Sequence, residues 1–324
     1  MTKLPCPVCG FNTFFATDRI VDIAPTLVSW EETLKIVFDA SVWTYYDRPE
    51  FRRITLYRCW NCQFAQFRPV AVGIEAFYRA ISAMDNHIET KWEIQQALID
   101  INNIGARRVL DVGCGSGFFL DTLRRSNPAI KGAGYDANSS IIELIAEKGY
   151  SVLLKPGETD AIYYQSFDAI CLFQIIEHIE DPLSFIDQFL QYLKPGGLFI
   201  ISAPDCDGPI KHFSNALTEI PPHHVSQWQE TSFQAALQRT GLSRITVKRE
   251  PLPIYLWDSY LPVIWDQDIW PAKLFRPAAR RLKMNTSQEI NWVISKLKSK
   301  GITQLHGVTG HTVYATAVKP LAEP

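Results

Sequence analysis

No run of about eighteen consecutive apolar residues, the length a membrane-crossing helix needs, occurs in the 324-residue chain. Even the aromatic stretch at 257–270 is broken by Asp258, Asp266 and Asp268. The opening residues, MTKLPCPVCG, lack the apolar segment of a secretory signal. No charge excess exists either: a formal net charge of −2 and a pI near 6.4 give no electrostatic reason to expect a nucleic-acid partner. Internal repeats and low-complexity segments are missing. What is present is a 47% hydrophobic, 20% charged composition, enough apolar material for a sizeable core and, at this length, for more than one structural unit.

Four of the seven cysteines fall in two CxxC pairs, Cys6/Cys9 and Cys59/Cys62. In a reducing, cytoplasmic setting such pairs suit thiolate ligation of a structural Zn²⁺ better than disulfides. The interval between the pairs contains Trp30, Trp43, Tyr45 and Tyr46 and is expected to be an inserted hairpin or lid. Cys114, Cys171 and Cys206 read as small buried residues.

From residue 107 onward, short apolar runs alternate with longer amphipathic ones, which predicts a Rossmann-like, doubly wound α/β sheet. Strands are expected at 107–112, 130–135, 151–154, 167–173, 198–202 and 244–248. Helices are expected at 118–126 and 139–148, from Asp181-Pro182 to 193, and at 231–240. The Lys194-Pro195-Gly196-Gly197 tetrad is read as the stop of the third helix. The sheet is mostly parallel, with 311–318 as an antiparallel last strand. The expected division is a zinc-ribbon-like module with insertion (1–75), a main domain (85–250 and 308–320) and an insertion or substrate cap (252–307).

The first of these strands ends in Val109-Leu110-Asp111-Val112-Gly113-Cys114-Gly115-Ser116-Gly117. Alternate glycines let the backbone approach a ligand closely. Asp136 follows at the expected tip of the second strand, where a carboxylate can accept from both hydroxyls of a ribose. The loop is GxGxG rather than GxGxxG, and no P-loop pattern ending in a lysine occurs, so neither pyrophosphate signature is complete. An adenosine ligand with a different tail is favoured.

These segments, together with GYDAN, SFDAICLFQIIEHIEDP and LKPGGLFIISAP, resemble over about 107–250 the class I S-adenosylmethionine-dependent methyltransferases. The likeness is to the small-molecule branch, typified by ubiquinone-biosynthesis and sugar methyltransferases. The resemblance implies that Asp111, Gly113, Cys114, Gly115 and Gly117 line the methionine portion. It places Asp136 and Ala137 at the ribose, the loop around Glu158 at the adenine, and Phe173 and Gln174 at the sulfonium. Some sugar C-methyltransferases carry a similar zinc module in front.

Methyl transfer is an in-line displacement, so the protein aligns the acceptor and, where needed, removes a proton. Glu177 and His178 follow the fourth strand; His223 and His224 lie in a Pro-Pro-His-His loop. Histidine titrates near neutrality, and these four are the candidate catalytic residues. Each also has a purely structural reading, as a group holding the helix start or a surface loop. Gln174 stands where ubiquinone-type enzymes carry a second glutamate that supports a divalent metal, which weighs against metal-assisted chemistry.

The insertion carries Trp257, Tyr260, Trp265, Trp270 and Phe275, then Arg276, Arg280, Arg281 and Lys283. A packed cap with a solvated basic face is preferred over a substrate lid or an interfacial patch for a lipid-linked or anionic acceptor. The expected activity is methyl transfer to an oxygen or carbon of a natural-product, sugar or lipid-type acceptor. The competing reading is a non-catalytic interaction scaffold. RNA and protein substrates are disfavoured, since no Asn-Pro-Pro-aromatic motif follows the fourth strand.

Overall fold

The computed structural model describes residues 4–81, 91–153, 163–213, 215–267 and 269–321. A seven-stranded sheet forms its centre, built from β4 (Arg108–Val112), β5 (Lys131–Tyr135), β6 (Ser151–Val152), β7 (Phe167–Phe173), β8 (Leu193–Pro204), β10 (Ser243–Pro253) and β11 (Gln304–Val318). The order is β10-β11-β8-β7-β4-β5-β6. Pairings β7–β8, β7–β4, β4–β5 and β5–β6 are parallel, while β11 is antiparallel to both neighbours. This is the doubly wound sheet with an antiparallel last strand that the alternating pattern predicts.

Helices α5 (Phe118–Ser126), α6 (Ser139–Glu147) and α7 (Pro182–Leu190) make the crossovers. Asn138 caps α6 by accepting from Ser140 N. Asp181 caps α7 by accepting from Ser184 N, with Pro182 in the first turn, where its missing N–H costs nothing. Helix α7 ends earlier than the sequence suggests, and the Lys-Pro-Gly-Gly tetrad belongs to β8. Phe167 pairs with Leu193 and Ala169 with Leu198, so two steps along β7 span five along β8. The surplus residues form a bulge, with Gly196 at φ +77°, rather than a helix stop.

Strands β10 and β11 are also longer than expected: Leu252 pairs with Leu305 and Pro253 with Gln304. Their ladder therefore reaches into the segment assigned to the insertion. Pro251 and Pro253 lie within β10, an edge strand, where a missing N–H is tolerated. From the end of this ladder rise α9 (Trp257–Ile264), α10 (Trp270–Arg281) and α11 (Thr286–Ser299). They pack around Trp257, Trp265, Leu261, Val293 and Leu305. Trp257 and Trp265 are buried, so these two aromatics make a core and not a lipid-facing patch.

A second, four-stranded antiparallel sheet lies at the amino-terminal side in the order β1-β2-β3-β9: β1 (Phe14–Val21), β2 (Ile54–Cys59), β3 (Ala65–Arg68) and β9 (Ser226–Gln227). Within the interval between the cysteine pairs, where an inserted hairpin or lid is expected, β1 and β2 pair antiparallel, and the stretch joining them holds two helices, α1 (Ile23–Leu34) and α2 (Ala40–Tyr46). Asp22 and Asp39 cap them by accepting from Ala24 N and from Ser41 N and Val42 N. Trp30, Val42 and Tyr46 pack with Phe77 of α3 (Glu75–Ile81). Helix α4 (Trp92–Asn103) and, after β9, α8 (Glu230–Arg239) complete the chain. Among the described residues no helix is long and apolar enough to cross a membrane.

Candidate active site

The glycine loop closes on β5: Gly113 N and Cys114 N donate to Tyr135 O at 2.7 and 3.0 Å. Gly113 has φ +73°, and a Cβ there would lie 2.3 Å from Ile175 Cδ1, so both backbone and space require glycine. Beside Gly115, φ +47°, a Cβ would meet no atom within 4 Å; this turn faces open space. Asp136 ties the two strand ends together, its Oδ2 accepting from Gly115 N at 3.1 Å and its Oδ1 from Asn138 N at 2.9 Å. Asp111 is buried below it, and burial, reinforced by the Asp136 charge, pushes its carboxyl well above the usual range.

Cys114 turns its thiol inward against Gly134 of β5, so only its main chain borders the loop. Ala137 is exposed beside Asp136. Phe173 packs edge-on against Phe119, centroids 4.8 Å apart. Gln174 has φ +56°, a conformation that costs a non-glycine residue and that collects at functional sites. Its N–H donates to Ser202 O at 3.1 Å, and its side chain hydrogen-bonds Glu93. Glu158 lies outside the described residues.

At the same end of the sheet, the residues after β7 meet the Pro-Pro-His-His loop. Val225 N donates to Glu177 O at 2.9 Å, and the ring centroids of His178, His223 and His224 are 4.5 to 4.9 Å apart. His178 Nδ1 lies 2.8 Å from His223 O and 3.0 Å from Tyr78 Oη. His223 Nδ1 lies 3.1 Å from Thr218 O, and His224 Nδ1 lies 3.5 Å from Glu219 Oε2. A carbonyl only accepts, so in His178 and His223 these contacts place the ring proton on Nδ1 and leave Nε2 as the basic nitrogen. Nε2 of His178 and of His224 stand 4.0 and 3.9 Å from Glu177 Oε1. One ring nitrogen from each of the three histidines lies within 4.8 Å of the others.

Burial sets the charges here. It lowers His178 well below the usual imidazole range and His224 to about 3, so both are neutral bases at pH 7. It raises Glu177 to about 8. Glu177 Oε2 is buried without a hydrogen-bond partner, which a protonated carboxyl tolerates better than an ionised one.

The structure thus brings together all four candidate catalytic residues and adds others that sequence reasoning missed. Tyr78 comes from α3, Glu93 from α4 and Glu219 from the segment before the histidine pair. His311 of β11 bonds through Nδ1 to Tyr260 Oη of α9 at 2.7 Å. Glu250 of β10 accepts from His311 N at 2.9 Å and Thr312 N at 3.2 Å, and burial raises it to about 7. Tyr260 of α9 thus reaches β11 at His311. Only the Glu219–His224 neighbourhood carried a local signal, a carboxylate five residues before a histidine; the others come from distant elements.

The four paired cysteines are all buried, with Cys6 Sγ to Cys62 Sγ 3.7 Å and Cys9 Sγ to Cys59 Sγ 3.5 Å.

A family model for the methyltransferase domain matches residues 68–247, more than half of the chain. The chain therefore belongs to that family, and its glycine loop and strand-end carboxylate are those of the class I, S-adenosylmethionine-dependent kind. Among curated proteins it is 27% identical over 151 residues to a ubiquinone biosynthesis O-methyltransferase of Dinoroseobacter shibae, covering 44% of this chain and 57% of that protein. It is 25% identical over 197 residues to the Bradyrhizobium enzyme of the same name, covering 60% and 72%. The chain thus spans little more than half the length of the first of these relatives. Among solved structures, an S-adenosylmethionine-dependent methyltransferase from Archaeoglobus fulgidus aligns with a TM-score of 0.43 at 16% identity, covering 70% of this chain and 94% of that one. A phosphoethanolamine N-methyltransferase of Haemonchus contortus aligns with a TM-score of 0.44 at 17% identity, covering 79% and 62%.

Proposed function

We propose that the protein transfers a methyl group from S-adenosylmethionine to an oxygen or carbon of a small-molecule acceptor of natural-product, sugar or lipid type. The observation that carries this reading is the placement, at one end of the sheet, of the open glycine turn braced by Asp136 and of a cluster of neutral histidines. S-adenosylmethionine supplies an electrophilic methyl group. Asp136 accepts from the ribose hydroxyls, and the Gly113–Gly117 turn lies along the methionine portion. Phe173 and Gln174 border the sulfonium end.

His224 is the favoured base. Its Nδ1 stands 3.5 Å from Glu219 Oε2, which favours the tautomer with the lone pair on Nε2, and burial keeps the ring unprotonated. It takes the acceptor's proton at Nε2 as the acceptor's electron pair forms the bond to the methyl carbon and the carbon–sulfur bond breaks. His178, held by Tyr78 and the His223 carbonyl, positions the neighbouring wall. Incubating the protein and labelled S-adenosylmethionine with metabolite extracts, followed by mass spectrometry, tests the reading. A labelled product that disappears in His224→Ala is expected; S-adenosylhomocysteine binding without any labelled product would favour a scaffold.

Cys6, Cys9, Cys59 and Cys62 are proposed to hold a structural Zn²⁺. Tetrahedral ligation with Zn–S near 2.3 Å sets sulfurs about 3.8 Å apart, which the 3.7 and 3.5 Å separations approach. The Cys62 thiol and backbone donors hold the Cys6 thiol at about 5, favouring its thiolate. Four thiols kept for a metal suit a reducing cytoplasm. Residues 1–75 are proposed as the zinc module, 85–250 with 308–320 as the methyltransferase domain, and the intervening segment as a substrate cap.

A further inference from the structure

A cavity of about 260 Å³ lies between the amino-terminal sheet and the segment after β8, lined among others by Asp18, Arg19, Arg58, Lys211, Glu219 and Gln227. Arg19 occupies an irregular stretch of β1: Ala16 pairs with Tyr57 and Ile20 with Thr55, so four steps face two. Such bulges re-aim side chains. Its guanidinium lies over the Phe67 ring, 5.1 Å from the centroid. Its Nε and Nη2 are shielded from solvent and have no hydrogen-bond partner.

That pair of nitrogens is the edge of a guanidinium that grips an oxyanion in two parallel hydrogen bonds. Arg58 beside it gives its donors to neutral acceptors, Gln63 O at 3.2 Å, Cys206 Sγ at 3.9 Å and Gln227 Oε1 at 2.9 Å, which fixes the group without cancelling its charge. Lys211 adds a third cation, 4.0 Å from the exposed Asp207 carboxylate. Against these stand Asp18, which is exposed, and Glu219, whose carboxyl burial raises above its usual range, whose charge acts on Arg19 and which also faces His224. A shielded guanidinium edge with no hydrogen-bond partner, its counter-charge supplied only through space by Glu219, is better satisfied when an anion completes it.

We infer that this cavity binds an oxyanionic group of the acceptor, a phosphate or a carboxylate, on the Nε–Nη2 edge of Arg19 with Arg58 and Lys211 around it. Glu219 belongs both to the cavity wall and to the histidine cluster, and Gln227 follows the histidine pair by three residues. An acceptor anchored here extends past Glu219 toward His224, so the acceptor is an anionic small molecule. The acceptor role rests on the methyltransferase reading; binding of the anion does not.

Titration calorimetry on the full-length protein in low salt tests it, with pyrophosphate and malonate as separate probes and S-adenosylhomocysteine as a parallel measurement. Saturable binding with a Kd below about 1 mM for one probe is expected, weakened about tenfold or more in Arg19→Gln, with S-adenosylhomocysteine affinity unchanged. Pyrophosphate alone binding identifies a phosphate-bearing acceptor, and malonate alone a carboxylate. If Arg19→Gln fails to fold, Arg19→Lys, which keeps the charge but loses the two-pronged edge, and Lys211→Gln must each weaken binding. Absence of binding by both probes, or binding indifferent to these substitutions, overturns the inference. Anion binding without S-adenosylhomocysteine binding would instead overturn the methyltransferase reading and leave the anion site standing.

Discussion

Replacing Asp136 by alanine is the most direct probe of the ribose assignment. Each carboxylate oxygen already accepts one backbone N–H, from Gly115 at 3.1 Å and from Asn138 at 2.9 Å, and each has a second lone pair for a ribose hydroxyl. A hydrogen bond to a charged group contributes about 1.5–3 kcal/mol net, so losing two removes at least about 3 kcal/mol of cofactor binding. With tenfold in affinity per about 1.4 kcal/mol, the Kd for S-adenosylhomocysteine should rise on the order of 100-fold. The substitution also strips Gly115 N and Asn138 N of acceptors, about 1 kcal/mol each, but it removes the charge that works against burial of Asp111. The fold should therefore survive, with a modest drop in Tm. Titration calorimetry with S-adenosylhomocysteine on wild type, Asp136→Ala and Asp136→Asn, beside thermal melts, reads both effects. An Asp136→Ala affinity within about threefold of wild type, in a folded protein, would refute the ribose assignment.

Glu219→Gln should lower kcat about tenfold or more while leaving S-adenosylhomocysteine affinity unchanged, because it disturbs the Nδ1 partner of His224 and touches no part of the glycine turn; equal loss of both would count against a proton-transfer role. Stability should depend on pH from both sides. Glu177 is raised from 4.5 to about 8 by burial, so the stability it contributes when protonated is fully present below about 4.5 and lost as pH rises through about 8; Glu177→Gln should flatten the fall in Tm over that window. His224 is lowered from 6.5 to about 3, so its contribution is present above 6.5 and lost as pH falls toward 3; His224→Ala should remove part of that acid sensitivity, measured by Tm against pH. Elemental analysis should find one zinc per chain, and Cys59→Ser should lower both zinc content and Tm; a metal-free, equally stable protein would eliminate the zinc proposal. Tyr260→Phe should change acceptor KM more than S-adenosylhomocysteine affinity, since it releases only His311 from the cap.

The central sheet was legible because its parallel strands are short apolar runs followed by amphipathic helices, as at 108–126 and 167–190. Its misread parts are those where one local signal masked another. Glycine and proline in the Lys194–Gly197 tetrad read as a terminator, yet the neighbouring strands hold them in a bulge. Pro251 and Pro253 hid the far end of β10 because only its edge position excuses them. Helices α1 and α2 carried local signals of their own, the capping residues Asp22 and Asp39. For the site, the glycine turn and the histidines lie in compact motifs and could be named. Tyr78, Glu93, Glu219, Glu250, Tyr260 and His311 belong to six separate segments, and only tertiary packing makes them neighbours.

Strand β9 is two residues long, yet it stitches the stretch just after the histidine pair onto β3, with Phe67 N also donating to Val225 O at 2.9 Å. The imidazole-bearing loop is therefore moored to the cysteine-bearing end of the chain as well as to the residues after β7, where Val225 N donates to Glu177 O. A fragment pared down to the Rossmann-like half would keep a place for adenosine but lose the pier that holds its basic residues steady. The amino-terminal unit thus braces the loop that carries the proposed base, and trimming it for convenience is expected to yield a binder that turns nothing over.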